Sequence, residues 1–202
     1  MRENRQVRAA ATRFETRQDD GQPPHISGYF AVFGDVYQIS AGMTESIDPG
    51  AFDNTIGGDI RALVNHDTTL VLGRTKSGTL ELRTDNLGLW GDITINPDDR
   101  AAMDLYERVR RGDVDQCSFG FNILRQEAEF HDDGSVHWTI QEVELFEVSA
   151  CTFPAYKETN ITARSAERDH IRARQLDAWK TKWKGVLKNG TESPAAEEAD
   201  RQ

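Results

Sequence analysis

"CSFGFNILRQEAEFHDDGSVHWTIQEVELFEVSACTF", residues 117–153, decides the fold. Two long runs rich in β-branched and aromatic residues flank DDGS (132–135), a run of turn-forming residues. The pattern predicts a long hairpin of 117–130 with 136–153. In its first strand Cys117 and Ser118 are neighbours, so a regular strand sends them to opposite faces. In its second strand the same alternation puts Val143, Leu145, Glu147, Ser149 and Cys151 on one face. A carboxylate among apolar neighbours is costly to bury unless it has a partner. Glu147 therefore calls for an arginine or a histidine, with Glu144 on the other face as the competing carboxylate.

Further strands extend outward from this hairpin. HISGYFAVFG (25–34) is aromatic-rich and ends at glycine, and IRALVNH (60–66) reads as a buried strand. TLELRTD (79–85) and LWGDITI (89–95) alternate around the turn NLG (86–88). One helix interrupts the strands after Asn96 and Pro97, which read as N-cap and first helical residue. Ala101, Ala102, Leu105 and Val109 form its apolar face, Arg110 and Arg111 complement its negative end, and Gly112 stops it. Many strands and few helices predict a mainly β protein with helices (α+β), as a barrel or sandwich with helical additions. The strand–helix alternation of a doubly wound fold is missing.

The chain has 202 residues and a net charge of −10. That charge argues against nucleic-acid binding. No apolar run approaches the length of a membrane helix, and the charged N-terminus lacks the apolar stretch of a signal peptide. The expectation is a cytosolic product that is not secreted and has no membrane partner. Its two cysteines, Cys117 and Cys151, are then thiols, too few for a zinc site of thiolates alone. Near residue 165 the composition shifts. Ile171, Leu176, Trp179, Trp183 and Leu187 recur at helical spacing, and NGTESPAAEEADRQ at the end has little to bury. The expected organisation is a domain over 1–165, a charged amphipathic helix over 166–190 and a disordered acidic tail over 191–202.

A serine nucleophile needs a base, and the base needs a group that fixes its tautomer. Among the five histidines, His66 ends an apolar strand between Asn65 and Asp67, a place where a base works near neutral pH. His131 and His137 flank the DDGS turn and supply at most two metal ligands. Around Ser118, Gln116 stands where a nucleophile elbow has its first glycine, and no strand–turn–helix surrounds it. Each of His66, Ser118 and Glu147 taken alone has an ordinary structural reading.

Together the segments ISGYFAVFG, ESIDPGAF, ALVNHD, LGRT, GLWGDITI, DLYERVRRGDVDQCSFGF and LFEVSACTFPAYKET resemble, in order and spacing, the prohead serine proteases of tailed bacteriophages. The resemblance runs from about residue 8 to about residue 165. It implies a closed β-barrel flanked by helices, like the herpesvirus capsid protease. It further implies a serine endopeptidase that cleaves the major capsid protein or its scaffold segment, and itself, inside the immature capsid in the host cytoplasm. The histidine of the NHD-type motif carries over to His66 and the serine of the SFGF-type motif to Ser118. No histidine stands where the herpesvirus relatives have their second one. Glu147 is assigned as third member by the resemblance and by its face. No metal or cofactor is required, and a homo-oligomer, most simply a dimer, follows by analogy of fold. Two alternatives remain: a hydrolase using Cys117, and a catalytically silent capsid-assembly or scaffold protein on the same fold.

Overall fold

Trp138, Ile140, Val148 and Ala150 are fully buried along one strand, and the architecture follows from what packs on either side of it. The computed structural model describes residues 6–10, 14–153, 173, 176, 177 and 180. Residues 1–157 form one compact unit and 158–202 another. The first unit contains β1 (Gln6–Ala10), β2 (Glu15–Arg17), β3 (His25–Val32), β4 (Tyr37–Ser40), β5 (Met43–Ile47), β6 (Arg61–Val64), β7 (Asp67–Arg74), β8 (Leu80–Thr84), β9 (Gly88–Thr94), α1 (Arg100–Arg111), β10 (Gln116–Phe130) and β11 (Val136–Cys151).

The predicted hairpin is β10 and β11, paired antiparallel from Gln116↔Cys151 to Phe130↔Val136. It is the spine of a seven-stranded sheet. β1 pairs antiparallel with β10 along one edge. Along the other edge, β11 pairs in parallel with two different strands, β5 at residues 136–140 and β6 at residues 147–150. β4 continues from β5 and β7 from β6. A second sheet runs β2-β3-β9-β8. Its β3–β9 pairing is close: a Cβ on Gly88 would lie 2.0 Å from the Ala31 carbonyl oxygen.

The expected closed barrel is not formed. The described strands make two open sheets, and the larger one branches at β11 rather than returning to β1. Alternation in a sequence specifies which face of a strand is buried. Closure needs a further pairing between end strands at a set stagger, which alternation does not encode. The flanking helices are also fewer than expected, since α1 is the one α-helix of the first unit's described residues. α1 begins three residues later than the sequence predicts. Asp99 is its cap, accepting from the backbone N–H groups of Ala101 and Ala102, while Asn96 accepts from Asp98 N–H in the preceding turn. Gly112 closes the helix at φ 83°. Of the stripe expected over 166–190, Leu176 is helical and exposed, and the other four stripe residues and the tail lie outside the described residues.

The core lies between the two sheets and α1. It joins Ile26, Phe30, Phe52, Leu89, Ile93, Leu105, Phe119 and Phe121, with Phe119 stacked on Phe121 at 4.8 Å. One ion pair is buried with it. Arg8 of β1 reaches over the Phe121 ring and makes a two-pronged contact with Glu45 of β5, through Nε to Oε1 and through a terminal nitrogen to Oε2 at 2.8 Å. Glu45 is fully buried. A desolvated pair is stabilised only while both members are present. Glu45→Ala is expected to lower unfolding free energy by about 3–5 kcal/mol, measured by urea denaturation, by stranding the Arg8 charge.

Candidate active site

The candidate site is placed by β10, by β11 and by the two-residue turn between β6 and β7. Phe146 is an extra residue in β11: Gly120 pairs with Glu147 but Phe121 pairs with Leu145. This β-bulge shifts the alternation of β11 by one residue. Val143 and Leu145 consequently join the core with Val148 and Ala150. Glu147, Ser149 and Cys151 fall on the opposite face. The single face expected for residues 143–151 is therefore broken at Phe146, and only its last three members share a face.

Ser118 is directly opposite Ser149 in the ladder, so both side chains leave the sheet on the same side. Cys117 is opposite Ala150, is fully buried and belongs to the core cluster. The strand thus separates the two candidate nucleophiles as the sequence predicts, with Cys117 facing the core and Ser118 facing the side of Glu147 and Ser149.

His66 is not at the end of a strand. β6 stops at Val64, and Val64 pairs with Asp67 across a turn whose two central residues, Asn65 and His66, have φ of 51° and 63°. Two positive φ values define a type I′ hairpin turn, where Asn-Gly is the favoured pair. Asparagine tolerates this region, while a histidine there costs about 1–2 kcal/mol. Bonds to β11 hold the turn. Asn65 N–H donates to the Ala150 carbonyl (2.9 Å), His66 N–H donates to Ser149 Oγ (3.3 Å), and Asn65 Oδ1 accepts from Thr152 N–H (2.9 Å).

From this turn the imidazole lies along β11. Its Nδ1 is 2.7 Å from Glu147 Oε1. Glu147 is nearly fully buried, so its charge is held by hydrogen bonds rather than by water. Because the carboxylate can only accept, Nδ1 carries the proton and Nε2 bears the free lone pair. Glu147 Oε2 accepts a second bond, from Ser149 Oγ at 2.5 Å. The competing carboxylate, Glu144, is exposed and accepts instead from Asn122 Nδ2 at 3.2 Å.

Two contacts were not foreseen. Cys151 Sγ lies 3.7 Å from His66 Nε2. The sequence already places Cys151 on the face of Glu147, but only the ring's direction brings the thiol to Nε2. Burial, and then the negative charge of Glu147, push this thiol up to about 12. It is a neutral S–H donor rather than a thiolate, despite standing at a base. Ser118 Oγ, for its part, donates to the Arg8 carbonyl of β1 at 2.8 Å. The two histidines that flank the DDGS turn have partners of their own. His137 is held by Thr44 Oγ1 and Ser46 Oγ, each at 2.8 Å, and His131 lies near Glu129. Among the described residues no cluster of three or more His, Cys, Asp or Glu is arranged to hold a metal.

Residues 12–174 match the family described as the caudovirus prohead serine protease. The chain is similar to the prohead protease of Enterobacteria phage HK97, with 29% identity over 174 residues, 84% of this chain and 73% of that one. A solved structure, the capsid assembly protease of bacteriophage T4, aligns with a TM-score of 0.47 and 9% identity, covering 73% of this chain and 96% of the other. The match over most of the sequence makes this a serine-type peptidase. The chain belongs to the caudovirus prohead serine protease family.

A thiol held neutral and buried reacts slowly. Iodoacetamide at about pH 8 is expected to leave Cys117 and Cys151 unmodified in the folded chain and to modify both after unfolding in guanidinium, read by intact mass. Fast modification of Cys151 in the folded protein would contradict the neutral thiol described above.

Proposed function

We propose that the chain is the endopeptidase that processes the capsid protein or its scaffold segment inside a phage prohead, with Ser118 as nucleophile, His66 as base and Glu147 as the group that orients His66. The observation that carries this reading is the 2.7 Å bond from His66 Nδ1 to the buried Glu147, made on the face of the sheet that also carries Ser118. That bond puts the lone pair on Nε2, where the Cys151 thiol stands at 3.7 Å and would give way to the serine one strand away.

In the reaction, the Ser118 hydroxyl turns from the Arg8 carbonyl to His66 Nε2. Its oxygen attacks the scissile carbonyl carbon while Nε2 takes the proton. The tetrahedral intermediate collapses, the C–N bond breaks, and the imidazolium returns the proton to the leaving amine. An acyl-serine remains. Water then attacks that ester with Nε2 again as base, releasing the new carboxyl end and restoring Ser118. Glu147 stabilises the imidazolium in both halves and stays ionised. No step in this scheme calls for a metal or cofactor. Self-cleavage follows from the same chemistry wherever an extended segment of a copy of the chain reaches Ser118.

The proposed substrate is supported by a relative named as a prohead protease. Confinement in a shell would raise the local concentration of enzyme and substrate and favour association of copies.

Co-expression with the cognate capsid protein, read by intact-mass spectrometry, tests the reading. Wild type is expected to shorten the capsid protein, and Ser118→Ala to abolish the shortening. Unchanged shortening with Ser118→Ala would remove Ser118 from the mechanism. Glu147→Gln, which keeps the shape but loses the charge that supports the imidazolium, is expected to slow cleavage by about 10²–10⁴-fold.

A further inference from the structure

We propose that Ser149 is a positioning residue of this peptidase centre, one hydroxyl that fixes both the carboxylate and the backbone on which the proposed base depends. The proposal rests on the assignment of His66 and Glu147 above. Ser149 is fully buried. A serine hydroxyl has one proton to give and two lone pairs to offer. Here the proton goes to Glu147 Oε2 at 2.5 Å, and a lone pair accepts from the His66 backbone N–H at 3.3 Å.

The two bonds do different work. A carboxylate is free to rotate about its last carbon–carbon bond. Anchoring Oε2 to Ser149 leaves Oε1 facing His66 Nδ1. The second bond acts on the backbone. His66 stands in a left-handed conformation that a histidine adopts only when its surroundings impose it. Ser149 satisfies the N–H of that residue, while the neighbouring Asn65 N–H is satisfied by Ala150. Ser149 also occupies the ladder position directly opposite Ser118. It therefore sits at the junction of proposed nucleophile, base and acid without itself reaching a reacting atom. A serine placed only for packing would not need its donor and its acceptor committed to two members of one site.

The test compares Ser149→Ala with Ser149→Thr, which keeps the hydroxyl. Ser149→Ala is expected to lower kcat on the capsid protein about 10–100-fold with KM unchanged, the scale of a small misplacement of reacting groups. The second readout does not need turnover. In an isotope-labelled Ser118→Ala background, the His66 Nδ1 proton bonded to Glu147 gives a far-downfield NMR resonance. Adding Ser149→Ala is expected to broaden or abolish that resonance, and Ser149→Thr to restore both it and kcat. If Ser149→Ala does not fold, Ser149→Cys, which is nearly isosteric and a weaker donor, is read the same way and is expected to lower kcat and broaden the resonance. A sharp, unshifted resonance with kcat within about two-fold of wild type in a folded Ser149→Ala or Ser149→Cys chain would overturn the proposal. Cleavage by Ser118→Ala would instead overturn the nucleophile assignment, and the resonance would still report on Ser149.

Discussion

One extra residue in one strand governs the arrangement. Were Phe146 paired in regular alternation, without the bulge, β11 would carry Glu147, Ser149 and Cys151 into the core beside Val143 and Leu145. The bulge sends Val148 and Ala150 there instead, where they meet Phe119 and Cys117 across the ladder. The opposite face is then free to hold a carboxylate, two hydroxyls, a thiol and an imidazole in one group. Bulges bend a strand and re-aim side chains, and this one separates the residues that pack the core from the polar group proposed as the site. The same long hairpin carries both faces.

The turn at Asn65 and His66 shows the cost of that arrangement. Glycine would relax the second position of a type I′ turn, yet a glycine has no imidazole. The chain accepts local strain and offsets it with hydrogen bonds to β11 and with the buried Glu147. Strained backbone persists when its surroundings over-determine it. Here those surroundings are the strand that carries Glu147, Ser149 and Cys151.

The buried Arg8–Glu45 pair ties the N-terminal strand to the far side of the same sheet, passing over Phe121. β1 is held to β10 by its backbone ladder, and the carbonyl of the same Arg8 receives the Ser118 hydroxyl. A charge pair in the core and the resting bond of a side chain on the opposite face thus share one residue. The backbone of β1 connects the two.

Much of this was legible in the sequence because it depends on local rules. DDGS between two alternating runs determined the hairpin, NLG a second one, and a glycine after two arginines the end of the helix. Period-two alternation was enough to put Cys117 and Ser118 on different faces. The resemblance in motif order supplied His66, Ser118 and Glu147, and the structure brings His66 and Glu147 into contact while leaving Ser118 one strand away. Other features were decided only in three dimensions. Closure of the sheet failed because alternation says nothing about which end strands meet. The N-cap moved from Asn96 to Asp99 because both residues are good caps and only the path of the chain chooses between them. The bulge at Phe146 was invisible because one added residue leaves the apolar pattern on either side intact. The contacts of Cys151 and Ser149 with His66 depend on a backbone turn and a ring direction, which are set by hydrogen bonds between segments more than 80 residues apart. Sequence determined the elements and the chemical groups they carry; tertiary pairing decided which of those groups touch, because register and side-chain direction are properties of two strands together and not of either one alone.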